Sequence, residues 1–320
     1  MGSKAVLRPP KLDRGSRIAL VAPAGPLVER DDVTRASELC RALGYLPTVA
    51  PHALDKYGYL AGGDDARLAD LNAALAAPDV DAVWCIRGGY GITRVLARVD
   101  FEGFARHPKP VIGYSDITAL LMALHQETGV VTFHGPTARA SMPAFTRRHF
   151  ERVLGRATPA GRLEPLPVRE DVLVPERDRV ITIRDGVAEG RLIGGNLTLL
   201  QCLAGTPFTP VLDGAILFLE DVGEEIYRID RILAHLRLAG ILTRAAGVLV
   251  GRFTEVGRRG ADGVIGLEEV LETYLAPLGV PVAWGFPVGH IEDQWTLPLG
   301  VRARLDADAG TLELLEAAVA

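Results

Sequence analysis

The sequence predicts an α/β protein: an N-terminal parallel-sheet domain of the Rossmann or flavodoxin type, then a smaller mixed α/β domain with a β-rich core. Three observations carry this. From residue 17 to about residue 135, short apolar runs alternate with amphipathic segments, as expected for a parallel sheet covered by helices on both faces. Across residues 141–180 that rhythm breaks, with Pro143, Pro159, Pro165, Pro167 and Pro175 set among mixed charges, which reads as a surface connection between domains. From residue 181 the alternation resumes in a more mixed form. The expected division is therefore 1–140, 141–180 and 181–320.

Taken in order, residues 17–22 read as a buried strand stopped by Pro23 and Pro26. Val33, Ala36, Leu39, Cys40 and Leu43 then recur at helical spacing up to Gly44, and Leu68, Leu71 and Leu75 mark a second helix. Residues 82–86 form the next apolar run. Val111 and Ile112 begin a short strand, and the helix after it carries Ile117, Leu120, Leu121 and Leu124 and closes at Gly129. In the second half, residues 215–219, 247–250 and 280–283 read as strands. Helices are expected over 225–238 and 267–278, and residues 301–305 and 312–315 as paired strands.

Composition narrows the function classes. The chain of 320 residues is 48% hydrophobic and 23% charged, the balance of a globular protein with a sizeable core. Its net charge of -5, with both signs interspersed, offers no footprint for nucleic acid. No apolar run reaches the roughly 18 residues of a membrane span, and residues 1–13 lack a signal-peptide core, so the cytoplasm is expected. Cys40, Cys85 and Cys202 are scattered without CxxC spacing and read as buried free thiols, with neither metal nor cofactor implied.

Serine is rare, and Ser115 alone lies where a predicted strand runs straight into a predicted helix, in Gly113-Tyr-Ser-Asp116. Such a turn lifts the hydroxyl above the sheet edge and leaves N–H groups of the first helical turn nearby, suited to an oxyanion. Only half of a GxSxG elbow is present, since Ile117 replaces the second glycine, and the bland alternative is that Ser115 or Asp116 caps the helix. Arg87-Gly-Gly-Tyr-Gly91 follows the strand ending at Ile86. It matches neither a dinucleotide fingerprint nor a Walker loop, but it falls at the same carboxyl edge of the sheet.

A hydrolytic serine needs a base, and among seven histidines His134, at a strand end, and His290, flanked by glycine and acids, are the candidates; spacing leaves both open. For the carboxylate that orients the base, Glu220 ends an apolar run, whereas Glu224 and Glu225 suit the start of the next helix.

In order along the chain, these segments resemble the LD-carboxypeptidase family of serine peptidases. The stretches are Val21-Ala-Pro-Ala-Gly-Pro26, Arg87-Gly-Gly-Tyr-Gly91, Gly113-Tyr-Ser-Asp116, Gly194-Gly-Asn-Leu197, Leu219-Glu-Asp-Val222 with Tyr227-Arg-Ile-Asp230, and Gly289-His290. The resemblance implies a triad of Ser115, Glu220 and His290, which decides against His134. It also implies hydrolysis of the bond between an L-configured centre and a terminal D-amino acid, the known substrate being murein tetrapeptide in cell-wall recycling. A related branch confers immunity to a peptide-nucleotide antibiotic with the same triad. On this reading the backbone N–H groups of Asp116 and of Gly88 or Gly89 hold the oxyanion, and Arg87 is the candidate for the substrate carboxylate. The expected partners are a small peptide substrate and a second copy of the chain in a homodimer. The rival from another class is a non-catalytic protein binding a small anion at the glycine turn.

Overall fold

The computed structural model describes residues 4–167, 179–257 and 265–320 and is of the α/β class, with its strands in two sheets. β1 (Arg17–Val21), β2 (Leu46–Val49), β3 (Ala82–Cys85), β4 (Val111–Gly113) and β5 (Thr132–His134) run parallel in the first. They are linked through α1 (Asp31–Ala42), α2 (Asp64–Ala76), α3 (Ile92–Val95), α4 (Phe101–Arg106) and α5 (Ile117–Thr128). Every residue of β3, β4 and β5 is buried, which is why these strands are apolar runs rather than alternating ones. The spatial order β5-β4-β3-β1-β2 puts a topological switch between β1 and β3, the place where open α/β sheets bind ligands. β2 is an edge strand with alternating exposure, where Pro47 is tolerated; the periodicity of the sequence does not reveal it.

The proline-rich connection is not all surface. Residues 144–154 form α6 (Ala144–Leu154), which buries Phe145, His149, Phe150, Val153 and Leu154, and Phe150 stacks on Trp84 with ring centroids 5.0 Å apart. Arg147, Arg148 and Arg152 on its other face hide the helical spacing of these residues. Pro175 lies outside the described residues.

The second sheet contains β6 (Gly161–Arg162), β7 (Ile181–Arg184), β8 (Val187–Asn196), β9 (Ile216–Val222), β10 (Gly247–Thr254) and β11 (Val282–Trp284). The helices of this half are α7 (Leu197–Leu203), α8 (Ile226–Leu238) and α9 (Leu267–Leu275). β8 to β11 are parallel neighbours in sequence order, and antiparallel strands flank them. β12 (Leu297–Leu299) leaves this sheet and pairs antiparallel with β5, Leu297 opposite His134, so the C-terminal half supplies an edge to the first sheet. β13 (Arg302–Asp306) and β14 (Thr311–Leu314) then form the expected antiparallel pair. Among the described residues no helix is long and apolar enough to cross a membrane. All three cysteines are free, but Cys202 is exposed rather than buried, because α7 turns Leu197, Leu200 and Leu203 inward and its other face out.

α5 is the hinge of the architecture. It is buried almost all round because it packs on β4 and β5 and also on α7 and β8 of the second sheet. Since α5 starts directly after Ser115, the contact with β8 brings that turn towards the ends of β8 and β9.

Candidate active site

The turn between β4 and α5 is strained at one residue. Ser115 has a φ of +65°, which costs an L-residue roughly 1–2 kcal/mol. The surroundings impose it. A Cβ placed on Gly113 would meet Ile117 Cγ2 at 3.0 Å, and one on Gly88 would fall 2.8 Å from Ser115 Cβ and 3.0 Å from Ser115 Oγ. The capping alternative is not what forms: Asp116 stands at the N-cap position, but its side chain makes no cap bond. Instead Asp116 Oδ2 accepts the Ile92 N–H at 2.9 Å, across to the glycine loop.

The glycine loop closes the switch-point crevice. Gly25, after β1, donates its N–H to Gly88 O at 2.9 Å, and a Cβ on Gly89 would meet Gly25 Cα at 2.8 Å. The two backbones touch only because both residues are glycines. Arg87 is half-buried and donates through Nη1 to Pro26 O. Gly88 thus lies against Ser115, and Arg87 points along the β1 loop.

Glu220 and His290 meet. Glu220 lies in β9, fully buried, with Oε2 2.8 Å from His290 Nδ1. A strand position explains the burial, since Glu220 stands beside Asn196 in the parallel β8–β9 register rather than at a helix start. Burial pushes the Glu220 carboxyl above its usual range, while the hydrogen bond and charge of His290 pull it back. Gly289, with φ of +124°, lets the chain come this close: a Cβ there would sit 3.0 Å from Glu220 Oε2. The loop before it is tied to β10, where Arg252 donates its N–H to Val288 O at 2.8 Å.

The neighbouring acids have other work. Asp221 accepts Asn196 Nδ2 at 2.8 Å, the Thr198 N–H at 3.0 Å and Thr198 Oγ1 at 2.8 Å, locking the start of α7 to β9. Glu224 pairs with Arg228 at 2.9 Å.

Tyr114 connects the two halves of the site; it lies within the Gly113-Tyr-Ser-Asp116 motif, but no role for its ring follows from the sequence. Its ring centroid is 4.7 Å from that of His290 and 5.9 Å from that of His134. Burial, followed by the charge of Glu220, holds its hydroxyl above the ordinary phenol range. His134 is fully buried, edge-on to Phe218 at 5.2 Å, and burial drives its pKa down to about 3. An imidazole sealed in this way is a poor proton shuttle, whereas the His290 side chain is 18% exposed. Arg67 was also not legible: it occupies the leucine face of α2 yet is 1% exposed, its guanidinium bonded to Pro23 O, Gly91 O and Asp64 Oδ1.

Comparison with known proteins gives the family and the fold. The family described as LD-carboxypeptidase N-terminal domain matches residues 18–135, and its C-terminal domain matches residues 189–305. A Streptomyces coelicolor protein named as a carboxypeptidase, SCO6489, is 41% identical over 97% of each chain. The murein tetrapeptide carboxypeptidase of Pseudomonas aeruginosa is 37% identical over 91% of this chain and 94% of its own. A solved structure of MccF in complex with glutamyl sulfamoyl guanosine matches with a TM-score of 0.86, at 25% identity, over 98% of this chain and 100% of that one. On the sequence, the fold and these relatives together, the chain belongs to the LD-carboxypeptidase family.

Proposed function

We propose that this protein is a serine carboxypeptidase that removes the terminal D-alanine from murein tetrapeptide, with Ser115, His290 and Glu220 as its triad. The observation that carries the reading is the 2.8 Å contact between a fully buried Glu220 and His290 Nδ1. A buried carboxylate on Nδ1 keeps that nitrogen protonated and turns Nε2 outward as the base. The strained serine turn and its contact with Gly88 support the nucleophile.

In the reaction, Ser115 Oγ attacks the carbonyl carbon of the L,D-peptide bond as His290 Nε2 takes the hydroxyl proton. The backbone N–H groups of Asp116 and of Gly88 or Gly89 hold the oxyanion, a contribution worth about 10²–10³ in rate per donor. His290 then returns the proton to the leaving nitrogen, the C–N bond breaks, and D-alanine departs. Water then attacks the acyl-enzyme with His290 again as base, the bond from Ser115 Oγ to the acyl carbon breaks, His290 returns the proton to Oγ, and the tripeptide leaves with a free carboxylate. Arg87 is the candidate for the terminal carboxylate, because a guanidinium binds it bidentately. Cytoplasmic location and a homodimer belong to the same proposal; gel filtration with light scattering tests the dimer.

A second reading, hydrolysis of an aminoacyl-nucleotide, draws on the similarity to MccF. Incubation of purified protein with murein tetrapeptide and with an aminoacyl sulfamoyl nucleoside separates the two. D-alanine release that is lost in Ser115→Ala supports the first reading. Cleavage of the nucleoside compound alone supports the second, and binding without turnover of either points to the non-catalytic rival.

A further inference from the structure

Two charged side chains that the mechanism above does not use are buried beside it, and both grip the same peptide units. Asp116 is 2% exposed and Arg67 is 1% exposed. The Asp116 carboxylate takes the Ile92 N–H at 2.9 Å and also faces the Gly91 N–H. From the other side Arg67 Nη1 donates to Gly91 O at 3.2 Å and to Pro23 O, while its Nη2 holds Asp64 Oδ1 at 2.5 Å. A Cβ on Gly91, whose φ is +132°, would fall 2.9 Å from Arg67 Nη1, so the loop is seated directly on the guanidinium.

Burying a carboxylate and a guanidinium is costly and is offset by hydrogen bonds. Here Asp116 bonds at the junction of the Arg87–Gly91 loop with α3, and Arg67 bonds to Gly91 O, to Pro23 O after β1 and to Asp64, while its Nε finds no partner among the described residues. Burial pushes Asp116 up to about 6, against the pull of the Ile92 N–H, the Arg67 charge and the Gly91 N–H. The bond to the Ile92 N–H also caps the first residue of α3, a four-residue helix that depends on such outside contacts. The anchor joins the residue after the serine to Gly91 and Ile92, two and three residues beyond Gly89.

We propose that Asp116 and Arg67 form a buried clamp that positions the oxyanion-binding amides of the glycine loop against Ser115, making both positioning residues for the hydrolysis. The inference rests on the serine reading above. It separates turn geometry from catalysis: the backbone N–H of Asp116 faces the oxyanion, while its side chain holds the facing loop in register. Displacing amides by about 1 Å is enough to cost roughly 10²-fold in turnover.

The test uses full-length wild type, Asp116→Asn, Asp116→Ala and Ser115→Ala. Hydrogen–deuterium exchange is followed in the peptide covering residues 86–95, with kcat and KM for D-alanine release and the rate of inactivation by a fluorophosphonate. The expected result is faster exchange confined to residues 86–95 in both Asp116 variants. With it, kcat should fall about 10–100-fold, phosphonate inactivation should slow in parallel, and KM should stay within about threefold. The loss should be smaller in Asp116→Asn, whose amide oxygen still accepts one N–H. Unchanged exchange at residues 86–95, or a kcat within threefold of wild type in Asp116→Ala, overturns the clamp. If Asp116→Ala does not fold, Asp116→Asn alone decides by the same criteria. If Ser115→Ala keeps wild-type activity, the serine reading fails, and the exchange experiment still decides whether the clamp exists.

Discussion

Asn196 donates its backbone N–H to Thr118 Oγ1 at 3.1 Å, joining the end of β8 to the first turn of α5. The two lie 78 residues apart, yet this contact couples the Ser115 turn to the β8–β9 pair, of which β9 carries Glu220. Asn196 is occupied on every side: its Oδ1 caps α7 through the Leu199 N–H at 3.2 Å, and its amide holds Asp221.

That seam predicts the effect of Gly195→Ala. Gly195 has φ of +148°, and a Cβ there would meet Thr118 Cγ2 at 2.5 Å and Thr118 Oγ1 at 2.7 Å. Pushing α5 away should destabilise the fold by about 1–3 kcal/mol, the usual cost of overpacking. Because α5 follows Ser115, D-alanine release should fall more than tenfold even well below the melting temperature. A melt combined with a rate at 25 °C checks both, and a variant with wild-type kcat would show that the seam does not set the site.

Glu220→Gln and Glu224→Gln should separate cleanly. An amide at Glu220 favours the wrong imidazole tautomer and cannot offset the imidazolium charge; the equivalent change in the chymotrypsin triad, a worked example of this effect, costs about 10⁴. Glu224→Gln should remove only its pair with Arg228, worth about 0.3–0.5 kcal/mol, with turnover unchanged. The rates of D-alanine release, beside Ser115→Ala as the floor, decide the assignment; a severe loss in Glu224→Gln with none in Glu220→Gln would reverse it.

Gly88→Ala tests the packing on Ser115, the proposed nucleophile. With a Cβ only 3.0 Å from Ser115 Oγ, the serine must rotate or the loop must move. Inactivation by a serine-directed phosphonate should slow by at least tenfold, with a loss of stability no greater than about 1–3 kcal/mol. Labelling at the wild-type rate would place the reactive hydroxyl elsewhere.

The buried histidines set an acid limb of stability. His134 titrates near 3 in the folded state and His149 near 4, both lowered chiefly by burial, whereas a free imidazole titrates at about 6.5. Between those values the unfolded chain binds the protons and the folded chain does not, so stability falls as pH drops from about 6.5 towards 3. His134→Gln removes one of these groups and should flatten part of that slope in melts taken between pH 4 and 7, leaving the contribution of His149. An unchanged slope would mean that His134 is protonated in the folded protein.

Part of the proposed site was legible in local pattern, although Glu220 lies inside β9, which runs on to Val222, rather than past its end. Ser115 sits at a strand-to-helix junction and Glu220 at the end of an apolar run, and both junctions can be found from periodicity. His290 and His134 could not be separated that way: His134 ends β5, whereas His290, expected at a strand end, lies in the loop between β11 and β12. Burial separates them, and burial is a property of the assembled fold. α6 was hidden for a similar reason: its arginines and the prolines around it mask an inward face that only the stacking on Trp84 makes plain.

The alternation of strands and helices outside β2 and α6, the glycine-rich turns and the family membership were determined by the sequence itself, because each depends on local spacing or on short motifs. The tertiary structure alone decided the 2.8 Å contact geometry between Glu220 and His290, a pair the family motifs had already suggested, the packing of Tyr114 on that imidazole and the burial of Arg67 and Asp116 around Gly91. These contacts join residues tens of positions apart, and their energies come from desolvation and from hydrogen bonds across the two sheets. No local pattern encodes such terms, because they exist only once α5 has been packed between the sheets.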